Sequence, residues 1–168
     1  MTPEQAYAAA QLIVRQLDAE WKNTYKVLCA FPEEKRDYRP EPRARTAFEL
    51  ARHLAGADIW FINGVVRGTF EEPDRIVPEV STFAELAAWY KDAVPKVLDE
   101  VRRVGGETLA KELRFYGIPF PAVQHLLFAL VHMVHHRGQL TTYIRPCGGK
   151  VRRSTVAAAM NRGRDRRT

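Results

Sequence analysis

Cysteine is scarce in this chain. Cys29 and Cys147 are the only two, and two cannot make the disulfide framework that holds a small secreted domain together. Both are expected as reduced thiols, in keeping with a cytoplasmic protein. No apolar run of about 18 residues or more occurs, so no segment reads as a membrane-spanning helix. The first residues do not read as a signal peptide: Glu4 and Gln5 stand where positive charge would be needed. An alternating apolar–polar stretch of any length is missing, and so is any repeat of solenoid type.

The 168 residues suffice for one domain with one sizeable core. A hydrophobic share of 46% and a charged share of 27% exclude disorder throughout. The formal charge of +6 is local. Lys150, Arg152, Arg153, Arg162, Arg164, Arg166 and Arg167 face Asp165 alone, and this excess accounts for the whole of it. Residues 1–149 are therefore electroneutral and are read as the folded domain; 150–168 are read as a basic, mobile tail. The tail has no aromatic residue on which a base could stack. Any binding by it to nucleic acid would be weak, sequence-blind and salt-dependent, so specific nucleic-acid binding is not expected.

The periodicity predicts four helices. The first runs from about Pro3 to Cys29, capped by Thr2, with Leu12, Ile13, Leu17, Trp21, Tyr25 and Leu28 at helical spacing. Thr46-Ala47-Phe48-Glu49 has the form of a capping box and opens a second helix to about Val66. Residues 67–81 form a long crossover. Thr82-Phe83-Ala84-Glu85 is a further box, opening a third helix to about Val104, with Pro95 expected to kink it or end it early. Residues 107–118 read as irregular, with a short extended piece from Leu113 to Tyr116. The fourth helix starts at Pro119 or Pro121 and ends before Pro146. Such a pattern predicts an all-α four-helix bundle with a long crossover between helices two and three.

The fourth helix carries almost no permanent charge: Arg137 is the single such residue between Ile118 and Ile144. Leu127, Leu130, Val131 and Val134 fall on one side of its wheel, and His125, Phe128, His132, His136, Gln139 and Tyr143 on the other. A helix so apolar is either central to the bundle or covered by a second subunit. A homodimer is the expectation.

Four of the five histidines lie on this helix. His132 and His136, four apart, share a face with Cβ atoms roughly 5–6 Å apart, close enough for two imidazoles to reach one metal ion at about 2.0–2.1 Å. The alternative is a pair of ordinary buried histidines. Met133 follows His132, which excludes the His-Glu-x-x-His helix of zinc proteases. His53 is the remaining histidine and sits in the second helix.

The block His132-Met133-Val134-His135-His136-Arg137-Gly138-Gln139-Leu140, followed by Arg145-Pro146-Cys147-Gly148-Gly149, resembles the last helix of the DinB/YfiT-like metalloprotein superfamily. Thr46 to Leu54, continuing to Trp60 and Val65-Val66-Arg67-Gly68, resembles that family's second helix. The resemblance spans roughly residues 3–149. It implies an up-down-down-up bundle, often dimeric, with a divalent metal on three histidines, which here fall on His53, His132 and His136. Zinc and nickel suit such a donor set best, and iron is compatible.

Around the triad, Glu49 is either a second-layer acceptor for His53 or simply part of the capping box. Gln139 either holds a metal-bound water or bonds between helices. Trp60, Phe128 and Tyr143 either wall a substrate cavity or pack the core. His135 is expected to pack or bond to backbone, and His125 to line the cavity or make a polar contact at the helix start. Arg137 points away and is expected in a structural ion pair. Cys147 is too far along the axis to join the metal.

A metal on three neutral imidazoles keeps its full charge and an open position, so it acidifies bound water or keeps a thiolate ionised. The resemblance implies a thiol-dependent S-transferase using a low-molecular-weight thiol on a small-molecule substrate. The alternatives are a metal-dependent hydrolase and a non-enzymatic binding protein associated with stress or DNA damage.

Overall fold

The computed structural model describes residues 1–70 and 76–151. The basic tail expected from Lys150 onward therefore lies, apart from its first two residues, outside the described residues, as does the centre of the expected crossover. Along the described chain the order is α1 (Pro3–Leu28), a 3-10 turn (Glu33–Lys35), α2 (Ala47–Arg67), α3 (Phe83–Val101), α4 (Gly106–Ala110), β1 (Glu112–Phe115), β2 (Ile118–Pro121) and α5 (Ala122–Ile144).

Three helices begin on reciprocal caps. Thr2 with Gln5, Thr46 with Glu49 and Thr82 with Glu85 each form a complete capping box, which satisfies otherwise orphaned backbone donors at the first turn. Gly68 ends α2 in the left-handed region at φ 69°, where a residue without Cβ carries no steric penalty. Pro95 does not end α3, which runs on to Val101. The proline removes one backbone rung, while Val94, Val97, Leu98 and Val101 remain buried around it and hold the helix by packing.

The stretch read as irregular is ordered. Gly105-Gly106 does not simply stop α3; Gly106 opens α4, packed so closely on α1 that a Cβ there would lie 2.3 Å from the Pro3 carbonyl oxygen. The extended piece pairs with a second strand in a hairpin, Phe115 opposite Ile118 and Glu112 opposite Pro121. Tyr116 and Gly117, at φ 48° and 80°, make its two-residue turn. Strands of four residues are too short to show an alternating pattern.

The four long helices form an up-down-down-up bundle. Phe48 meets Phe83 near the starts of α2 and α3, and Asp58 meets Tyr90 further along both, so these two run in the same direction. His53 meets His136 while Phe61 meets Phe128, so α5 runs against α2. Thr24 late in α1 meets Tyr90 in the first half of α3, and the earlier Asp18 meets Arg102 at the end of α3, so α1 runs against α3 and parallel to α5. No helix among the described residues is long and apolar enough to cross a membrane.

One continuous core draws on all four helices, with Leu17, Leu54, Ile62, Tyr90, Leu98, Leu126, Met133 and Leu140 fully buried. Burial of α5 is one-sided in the single chain. Leu127, Val131 and Val134 remain 43%, 60% and 44% exposed.

Candidate metal centre

His53 sits two turns into α2, and His132 and His136 lie one turn apart on the facing stretch of α5. The antiparallel crossing brings one ring nitrogen from each within 4.8 Å of the others. The Nε2 atoms of His53 and His132 are 3.1 Å apart, and the ring centroids of His132 and His136 are separated by 4.2 Å. Burial, reinforced by the Arg45 charge and neighbouring imidazoles, lowers the pKa of His53 and of His136 from 6.5 to about 4. His132 falls to about 4 through burial, then His135 and Arg45. All three rings are therefore neutral at pH 7, the form that offers a lone pair to a metal.

The other nitrogens set which lone pair faces inward. Nδ1 of His136 lies 2.7 Å from Oε1 of Gln139, so the imidazole N–H donates there and Nε2 is left for the cavity. Nδ1 of His132 is turned to Oδ1 of Asp58 at 3.6 Å, and both atoms are buried with no hydrogen-bond partner among the described residues. Buried polar atoms are normally satisfied. A small approach of the two would join them and commit the His132 Nε2 lone pair to the centre, the carboxylate–histidine arrangement typical of metal sites.

Asp58 is fully buried, and the Tyr90 hydroxyl donates to its Oδ2 at 2.7 Å. Burial pushes its carboxyl well above the usual range, opposed by the Tyr90 bond and the Arg137 charge. The buried Thr24 hydroxyl stands beside Tyr90. One polar line thus runs from α1 through α3 and α2 to the histidine on α5. Sequence reading passed over Asp58, although a signal exists: it is the single charge between Leu54 and Val66, and a lone carboxylate in an apolar run requires a partner.

A cavity of about 450 Å³ opens beside the histidines. Trp60 lines it, joined by Phe61, Phe115 and Tyr116, with Arg45 and Arg52 at its margin. Gly56 lies in this wall, where a Cβ would meet Val77 at 2.7 Å, so the small residue lets the following loop close down on α2. Phe128 and Tyr143 do not line the cavity. Phe115 of the hairpin lies against Phe128, ring centroids 5.9 Å apart, and forms the wall in its place. Tyr143, two turns past His136, packs edge-on against Tyr38.

The other candidates fall elsewhere. The Glu49 carboxylate accepts from the Thr46 backbone at 2.7 Å, as a cap. His125 is buried among Phe70, Phe115, Phe120 and Phe128 and does not line the cavity. His135 is exposed and meets His136 edge-on. Arg137 pairs with Glu20 at 2.5 Å, and Cys147 is a buried free thiol near the end of α5.

A profile of the DinB family matches residues 5–163. The fold is similar to that of a DinB-like protein from Bacillus cereus, with 23% identity and a TM-score of 0.72 over 84% of this chain and 95% of that one. A DinB-like protein from Bacillus subtilis is similar at 21% identity and a TM-score of 0.70, over 83% of this chain and 94% of that one. No curated protein matches the sequence.

Proposed function

The chain belongs to the DinB family, and from that membership we propose a metal-dependent enzyme of the thiol S-transferase type, with His53, His132 and His136 holding one divalent cation. The observation that carries the reading is the meeting of three neutral imidazole nitrogens within 4.8 Å, two of them on rings whose second nitrogen faces a built acceptor. The orphaned Asp58 and His132 atoms fit a bound cation, because a metal on Nε2 makes the Nδ1–H a stronger donor toward Asp58. Zinc and nickel suit the all-imidazole set best. When bound, such an ion supplies Lewis acidity and an open coordination position.

The chain's own residues give the surroundings of that reaction. Arg45 and Arg52 make the cavity cationic, and positive charge lowers the pKa of an incoming thiol, so that it ionises there without a dedicated base. The preference for S-transfer over a metal-dependent hydrolase rests on the family, because the same charge would also acidify a metal-bound water. Trp60, Phe61 and Phe115 give the electrophile an apolar wall and displace water from it.

Residues 1–149 constitute the working domain in this reading, and the exposed Leu127–Val131–Val134 stripe supports a homodimer as its assembly. The free thiols of Cys29 and Cys147 support a cytoplasmic setting.

Mass-spectrometric metal analysis of the purified protein tests the ligand set: one equivalent is expected, and its loss on replacing any of the three histidines by Ala. A thiol-conjugation assay with 1-chloro-2,4-dinitrobenzene then tests the reaction. Equal rates for the wild type and His132→Ala would remove metal chemistry from the account.

A further inference from the structure

The cavity has two chemically different ends, with the histidines between them. Arg45 immediately precedes the cap of α2, His53 follows eight positions later and Trp60 seven beyond that. At about 1.5 Å per residue along α2, the His53 backbone stands roughly 10 Å before that of Trp60, while Arg45 lies just outside the start of the helix. All of them line one cavity, so in the order of the chain Arg45 and the rings flank His53.

The first end is positive, and the acid that feels the Arg45 charge, Glu49, does not line the cavity. Neither Arg45 nor Arg52 belongs to an ion pair among the described residues, and no described residue lining the cavity is acidic. Arg52 donates through Nη1 to the carbonyls of Pro78 and Val80, which fixes it and leaves its charge in place. Arg45 is exposed, and its charge acts on all three imidazoles. The nearby acid Glu49 already serves the capping box.

The second end is a nest of rings. Trp60 lies 5.0 Å from Phe61 and 5.9 Å from Phe115, and Phe115 lies 4.6 Å from Tyr116. Tyr116, held in the left-handed region and 90% exposed, forms the lip. Offset and edge-on ring arrangements of this kind accept a further flat ring.

From this juxtaposition we propose that the substrate class is an organic anion with an aromatic body: a carboxylate or similar group held by Arg45, a ring on Trp60 and Phe115, and the reacting atom between them at the histidines. This rests on the reading of the cavity as the substrate site, and it specifies what that site selects. A cavity of about 450 Å³ lies in the usual range for small-molecule sites and has the volume for a single-ring acid. Charge supplies orientation and the rings supply most of the contact area.

Three probes separate the contributions: 4-phenylbutanoate, with charge and ring; 4-phenylbutanamide, with the ring alone; and butanoate, with the charge alone. Titration calorimetry on metal-free and on zinc-loaded protein is expected to rank 4-phenylbutanoate at least tenfold tighter than either of the others in both forms. Arg45→Gln is expected to bring the acid to within about twofold of the amide while leaving the amide's affinity unchanged. Phe115→Ala is expected to weaken acid and amide by the same factor. Equal affinity of acid and amide in the wild type, a preference that survives in Arg45→Gln, or no binding by any probe would each overturn the proposal. The metal-free arm keeps this apart from the metal reading: a protein that takes up no zinc yet prefers the acid through Arg45 refutes only the metal centre.

Discussion

Nδ1 of His132 and Oδ1 of Asp58 face one another across 3.6 Å in the protein interior, and neither has another hydrogen-bond partner among the described residues. Carboxylates in this position orient a ligand imidazole and raise its basicity. Asp58→Asn, which keeps the shape and removes the charge, should weaken metal binding by about 10–100-fold. Competition against a chromophoric chelator measures this, and an unchanged affinity would detach Asp58 from the site.

Tyr90 holds the other oxygen of Asp58 at 2.7 Å, with both residues fully buried. Tyr90→Phe deletes the donor and leaves that oxygen unsatisfied, at a cost of about 1–3 kcal/mol. Urea unfolding should show a lower midpoint with an unchanged slope.

Acid should weaken the metal-free fold through the histidines. Their pKa values fall from 6.5 to about 4 in the folded state. The unfolded chain therefore takes up protons first, and the stability they contribute is intact above pH 6.5 and lost as pH falls toward 4. Asp58 acts in the opposite sense. Its folded-state pKa is raised by burial, so its contribution is present at low pH and is lost as pH rises through that value. Thermal midpoints in the presence of a chelator should drop between pH 7 and 4.5, and a His53→Gln, His136→Gln double variant should flatten the drop.

Tyr116 occupies the left-handed region at φ 48° without being glycine, a conformation that Asn tolerates better. Tyr116→Asn should raise stability by roughly 1 kcal/mol while removing the ring at the cavity lip. A variant that is no more stable would mean that the Tyr116 contact with Phe115, centroids 4.6 Å apart, outweighs the backbone strain.

Leu127, Val131 and Val134 form an exposed apolar stripe at spacings of four and three on α5. Sedimentation should find the wild type dimeric and Val131→Glu monomeric, since a buried unpaired charge disrupts such an interface. A wild type that sediments as a monomer would leave the stripe without this role.

The bundle was legible because capping boxes and helical spacing are local signals: Thr46 with Glu49 and Thr82 with Glu85 mark their helix starts directly. The hairpin was not, since a two-residue turn at Tyr116-Gly117 and strands of four residues leave too few positions for a period to show. His132 and His136 announced themselves by being one turn apart on a nearly uncharged helix. Asp58 offered only its isolation as a lone charge in an apolar run, and Phe115 offered nothing, because its place in the wall exists only once the hairpin folds back on the helices.

The sequence by itself determined which residues lie on which helical face, because a fixed rotation per residue decides that before any packing occurs. Only the tertiary structure decided that Asp58 stands behind His132 and that Phe115 rather than Phe128 walls the cavity. Those relationships depend on how antiparallel helices cross and where a short hairpin folds back, and no single segment encodes either.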